Sequence, residues 1–179
     1  MKKNATNDFT LVELMVTVSI VAILAVVAVP SFRVFIQSSR MTAQANEFLT
    51  ALSFTRAEAV KRNARVTMCA SSDGASCVGG WAQGWIIFVD AGTTADATGD
   101  VILRVHPALD GGSTLVGNGN VTSYISYVSS GQSRLSNNAL QGGTLNLCGP
   151  DAVVDGRDIV LTAGTGRARI NNPPATACH

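Results

Sequence analysis

The 21 residues from Phe9 to Val29 constrain the fold more than any other stretch, because 17 of them are apolar and Glu13 is the only charge. As a helix rising about 1.5 Å per residue, the run spans roughly 30 Å, the thickness of a bilayer's hydrocarbon core. No second run of comparable length follows, so a single span with the bulk of the chain on one side is expected. Lys2 and Lys3 precede the run, and the positive-inside bias places this short N-terminal segment in the cytoplasm, against the competing pull of Arg33 and Arg40. All four cysteines, Cys69, Cys77, Cys148 and Cys178, lie beyond the span. An even number in an exported domain points to disulfides rather than to the alternative, a zinc site, for which no C-x-x-C spacing is present. Pairing near neighbours, Cys69 with Cys77 and Cys148 with Cys178, is the simplest of the three connectivities.

Three readings compete for residues 1–29. A cleaved secretory signal calls for an apolar stretch of about 7–15 residues and a small-x-small cleavage site; this run is longer and reaches Pro30 without one. A plain membrane anchor explains the length but not Glu13, since a carboxylate inside a span is costly and normally has a partner. The third reading starts from FTLVELMVTVSIVAILAVVAVPSF, Phe9 to Phe32. Its parts are a short charged leader, Met1–Asp8, then Phe9, the stretch Thr10-Leu11-Val12-Glu13-Leu14, and an apolar helix with Pro30 near its end. This resembles the N-terminus of a type IV pilin or pseudopilin. The resemblance implies that a prepilin peptidase cuts between Asp8 and Phe9, that the new Phe9 amine is methylated, and that Glu13 meets the amine of a neighbouring subunit during filament assembly. The residue before the cut is usually Gly in this family, whereas Asp8 brings bulk and charge to the scissile bond.

From Ser31 to Arg65 there is no glycine or proline, and Phe32, Phe35, Ile36, Phe48, Leu49, Leu52, Ala59 and Val60 recur at helical spacing. Together with the span this predicts a helix of about 55 residues, roughly 80 Å long, with Pro30 inside it as a kink. Lys61, Arg62 and Arg65 at its end either complement the helix C-terminus or face nucleic acid. Beyond Arg65 the period changes to short β-like runs: 66–70, 85–89, 101–105, 124–128, 144–148, 158–162 and 167–170. Asp90–Asp100 and Asp110–Asn120, rich in Gly, Thr, Asp and Asn, read as loops. The organisation expected is a leader (1–8), an assembly half-helix (9–30), an amphipathic half-helix (31–65) and a β-rich domain with a tail (66–179). The fold class is α+β, a long N-terminal helix packed on an antiparallel sheet. The segments CASSDGASC, GWIIFVD, Leu147-Cys148 and TGRARI before Cys178 narrow the resemblance to the FimT/GspH group of minor pilins and pseudopilins.

At 46% hydrophobic, 14% charged and net +1, the chain is neither disordered nor a basic nucleic-acid-coating protein. Aromatic content of 6% argues against a base-stacking platform. No catalytic constellation is visible: His106 and His179 are the only histidines. Gly111, Gly112, Gly117 and Gly119 lack the Gly-Lys-Ser/Thr of a phosphate loop, and Asp90, Asp96 and Asp100 lack EF-hand spacing. No enzyme activity, cofactor or metal site is expected. What remains is Gly166-Arg167-Ala168-Arg169. Two arginines at i and i+2 on a strand share a face about 7 Å apart, and guanidinium forks suit phosphate oxygens. The bland alternative is a pair that solubilises an edge strand. Net charge is uneven, +4 over Ser31–Arg65, −5 over Val66–Gly156 and +2 over Arg157–His179, so the tail is a local basic patch.

The resemblance to the FimT minor pilins, in which a Gly-Arg-x-Arg motif is implicated in binding DNA for natural transformation, implies a non-specific phosphate contact at Gly166, Arg167 and Arg169. Arg134 and Arg157 are secondary candidates. The implied partners are other pilins, DNA, the prepilin peptidase and, before assembly, the inner membrane, with the globular domain in the periplasm and later on the pilus. The alternative is a structural pseudopilin of a type II secretion system.

Overall fold

The computed structural model describes residues 10–151, 154–172 and 178. One helix, α1 (Leu11–Arg62), precedes eight strands: β1 (Val66–Ala70), β2 (Trp85–Val89), β3 (Val101–His106), β4 (Thr114–Gly117), β5 (Tyr124–Tyr127), β6 (Gly143–Cys148), β7 (Arg157–Thr162) and β8 (Arg167–Asn171). The chain divides into two compact units, Met1–Ile36 and Gln37–His179.

In the first unit, Thr10 caps α1: its Oγ1 accepts from the Glu13 backbone N–H at 3.2 Å, which satisfies one of the first turn's orphan donors. The Thr17 and Ser19 hydroxyls donate back to the carbonyls of Leu14 and Met15, so both find partners within the helix. Leu11, Val18, Ile23, Leu24 and Phe32 are all exposed. The segment is long and apolar enough to cross a membrane and is consistent with membrane anchoring. Pro30 lies inside the helix, which continues beyond it.

In the second unit, α1 contributes Met41, Ala45, Phe48, Leu52 and Ala59, spaced by four, three, four and seven, as one buried stripe. Phe48 meets Trp81 and Trp85 edge-on at centroid distances of 5.3 and 5.1 Å. The Trp81 indole N–H donates to the Val121 carbonyl at 3.0 Å, so its polar atom is satisfied in the core. The helix stops just past the end of this stripe. Asn63 adopts φ +50, and the Ala64 N–H returns to the Ala59 carbonyl, ending α1 at Arg62, three residues short of expectation.

The strands form two antiparallel sheets, ordered β3-β2-β1-β5 and β4-β6-β7-β8, where one sheet was expected. The extra element is β4, inside the interval read as a loop. Its four residues end in Gly117 and are flanked by Gly111, Gly112 and Gly119, so turn residues outnumber the alternating pattern. Pairing supplies what propensity does not: Leu115 registers against Leu147 of β6 and is buried beside it. The inner face of this second sheet also carries Leu145, Ile159 and Leu161 into the same core as Phe48. β1 is buried along its whole length because both its faces are covered. Val66, Met68 and Ala70 face the main core, while Cys69 joins Ile86, Phe88 and Ala97 in a second cluster.

Both expected cysteine pairs form, Cys69–Cys77 and Cys148–Cys178, and no described cysteine is free. The thiols are thus consumed in cross-links, and the zinc alternative falls. Inside the smaller loop, Asp73 accepts from the backbone N–H groups of Ala75 and Ser76 and from the hydroxyls of Ser71 and Ser76. These bonds, the Ser76 hydroxyl's first, hold its carboxyl well below the usual range. Asp90 is a buried staple: it accepts from the Thr67 hydroxyl and from the backbone of Thr94 and Ala95.

Candidate functional site

β8 is an edge strand, and its exposure alternates so that Arg167, Arg169 and Asn171 face outward while Ala168 and Ile170 turn inward. The two arginines register against Thr162 and Val160 of β7. With Thr162, Thr165 and Ala168 they line a shallow groove of about 290 Å³. Neither guanidinium has a hydrogen-bond or ion-pair partner among the described residues, and no described carboxylate lines the groove. Cationic forks with no internal partner are free to meet an external anion.

Gly166 positions the pair. It has φ +65, its N–H donates to the Thr162 carbonyl at 3.1 Å, and its carbonyl accepts from the Tyr127 hydroxyl at 3.0 Å. A Cβ built here would lie 2.9 Å from the Gly131 carbonyl oxygen, the Ser133 nitrogen and Tyr127 Cε1. The glycine of the motif is therefore required by the turn beneath the arginines: it is left-handed and pressed against backbone. Gly166→Ala is expected to destabilise the fold by about 2–3 kcal/mol, from left-handed backbone strain plus displacement of that backbone. Thermal unfolding checks this, and a loss under about 0.5 kcal/mol, the ordinary range of a neutral surface change, would contradict it.

Tyr127 is 1% exposed, and burial pushes its hydroxyl up to about 12, with the Arg56 charge pulling the other way. A folded value above the unfolded value of about 10 means the contribution is intact below pH 10 and is lost as pH rises towards 12. In a Tyr124→Phe variant, where Tyr127 is the only tyrosine, tyrosinate absorbance should rise with a midpoint near 12. A midpoint near 10, the ordinary tyrosine value, would show the hydroxyl to be solvated.

The other basic residues singled out from the sequence are placed differently. Arg134 is held by the Asn138 carbonyl at 2.7 Å and the Gln132 amide oxygen at 2.9 Å. Arg157 lies on the inward parity of β7, opposite to Arg169's face, and donates to the Asp155 and Gly156 carbonyls and to the hydroxyls of Ser38 and Thr42 on α1. Lys61 and Arg62 are paired with Glu58 at 3.2 and 2.6 Å. Arg65 is buried at 8% exposure and donates to Ser126, Asn138 and the carbonyls of Arg134 and Leu135, so it cannot face nucleic acid. Glu13 lies exposed in the first turn of α1, whereas the cleavage position Asp8–Phe9 and His179 lie outside the described residues.

One residue escaped the sequence reading. Arg56 of α1 lines a second, smaller cleft of about 120 Å³ with Leu52, Ser53, Tyr127, Gly166, Arg167 and Ala168. Only its charge had been counted; nothing in the sequence brings residue 56 to residue 167.

Comparison with known proteins agrees with this architecture. The family described as Type II transport protein GspH matches residues 44–166, more than half of the chain. No curated protein matches the sequence. Among solved structures, the type IV minor pilin FimU of Pseudomonas aeruginosa is similar at TM-score 0.55 and 19% identity, covering 79% of this chain and 94% of its own. The minor pseudopilin EpsH of the Vibrio cholerae type 2 secretion system is similar at TM-score 0.51 and 13% identity, covering 74% and 97%. With its long N-terminal helix, antiparallel sheets and family match, the chain belongs to the GspH family of pilin-like proteins.

Proposed function

We propose that the protein is a minor pilin of a type IV pilus that enters the filament through its N-terminal helix and binds DNA without sequence preference for uptake in natural transformation. The carrying observation is the unpartnered Arg167–Arg169 pair on an outward strand face, with no carboxylate among the described residues that line its groove. Phosphate contacts of this kind position a polymer but do not read its sequence. The exposed apolar half of α1 supports the assembly role, since such a surface needs lipid before polymerisation and other helices afterwards. In that reading Glu13 pairs with a neighbouring subunit's methylated Phe9 amine, Pro30 loosens the helix for packing, and the prepilin peptidase acts between Asp8 and Phe9. The periplasmic placement of the second unit is supported by its two disulfides, which form in oxidising compartments.

A second reading, a structural pseudopilin of a type II secretion system, is favoured by the family description and by the likeness to EpsH. The two are separated in the host by Arg167→Gln/Arg169→Gln at the native locus. Loss of transformation with secretion intact is expected. Unchanged transformation, with a secretion defect on deleting the whole chain, would overturn the DNA reading.

A further inference from the structure

We propose that Arg56, on α1, is a third cation of the same site, and that one DNA backbone phosphate seats in the cleft between Arg56 and Arg167; this rests on the DNA-binding reading above. The cleft is small, about 120 Å³, and two of the seven residues that line it are arginines. None of the seven is acidic. Two guanidinium groups brought to one concavity without a counter-charge repel each other, and an anion between them removes that cost.

Arg56 is also uncommitted in a way its neighbours are not. It has no hydrogen bond or ion pair among the described residues, although Glu58, two positions away, neutralises both Lys61 and Arg62. Its guanidinium lies over Gly131, where a built Cβ would come within 3.1 Å of Nε, so the missing side chain there leaves the arginine its place. The Gly131 carbonyl occupies the space that a Cβ on Gly166 would need, 2.9 Å from it, so the glycine under the arginine neighbours the turn that aims Arg167. The wall behind is stiff: Tyr127 is 1% exposed and donates to the Gly166 carbonyl. The site thus spans two elements far apart in sequence. Arg167 stands where the two concavities meet, since it lines both the cleft and the outward groove with Arg169.

The test uses the full-length chain in detergent and duplex DNA of random sequence, over a salt series. Compared are wild type, Arg56→Gln, Arg56→Lys and Arg167→Gln/Arg169→Gln, each with its thermal midpoint. Arg56→Gln is expected to weaken binding about 3–10-fold at low salt and to reduce the slope of log K against log salt by part of the ~0.9 that one phosphate contributes, since Arg167 still meets the shared phosphate, with an unchanged midpoint. Arg56→Lys should restore most of the slope. If Arg167→Gln/Arg169→Gln abolishes binding while Arg56→Gln matches wild type, the inference fails and the arginine-pair site stands. If wild type and the Arg167/Arg169 variant bind alike, or neither binds, the underlying reading fails and the inference with it. A lowered midpoint in both Arg56 variants, without rescue of binding by lysine, would make Arg56 a structural residue and overturn the proposal.

Discussion

Arg65→Met is expected to destabilise the protein by about 3 kcal/mol or more, the range for breaking a buried charged network, and to lower the thermal midpoint by roughly 10 °C. The guanidinium serves four acceptors at once: the Ser126 hydroxyl at 2.9 Å, the Asn138 side-chain oxygen at 2.8 Å, and the Arg134 and Leu135 carbonyls at 3.1 Å each. Methionine fills similar volume but withdraws the guanidinium donors; the Leu135 carbonyl keeps the Asn138 N–H at 2.9 Å, and each buried acceptor left unsatisfied costs about 1–3 kcal/mol. The Ser126 hydroxyl also meets that of Thr67 at 3.0 Å, and Thr67 donates to Asp90, so the loss spreads across β1 and β5. Arg65→Lys keeps the charge but offers no planar fork, and should recover less than half of the stability. A midpoint within about 2 °C of wild type for the methionine variant would show the network to be solvated instead. The consequence reaches the basic site. The segment that Arg65 ties down, through Arg134 and Leu135, begins at Gly131 and Ser133, which brace Gly166.

Arg167→Gln/Arg169→Gln is expected to weaken DNA binding by one to two orders of magnitude at low salt, since each arginine–phosphate bond between charged partners contributes about 1.5–3 kcal/mol in protected settings and less when exposed. Both side chains are exposed on an edge strand, so their removal should leave the fold intact, and the midpoint should move by no more than a neutral surface change allows. Glutamine retains hydrogen-bonding capacity, so the loss would report charge. Single substitutions should each show part of the effect. Equal loss from substituting the internally bonded Arg157 would move the site to the opposite face of the sheet, where that residue's partners on α1 lie.

The elements most legible in the sequence were those with a strong period or a dense apolar run. β1 and β2 fall where VTMCA and WIIFV place them, and the long apolar helix is plain from composition alone. Both disulfide pairings follow from the simplest connectivity. β4 was illegible because four residues set among glycines become a strand only through pairing with β6, a contact 28–34 positions away. The two-sheet arrangement was hidden for the same reason. At the site, Arg167 and Arg169 were readable because their common face depends only on strand alternation. The roles of Arg65, Arg134, Arg157 and Arg56 depend on long-range packing, and identical residue types proved to be a buried clamp, two internal tethers and an unpartnered cation.

The most direct test of the central claim is the salt dependence of duplex DNA binding by the full-length protein and its Arg167→Gln/Arg169→Gln variant. Wild-type binding should fall steeply with salt, and the variant's log–log slope should be shallower by about 1.8, the contribution of two phosphates. Equal slopes and affinities for the two proteins would contradict it.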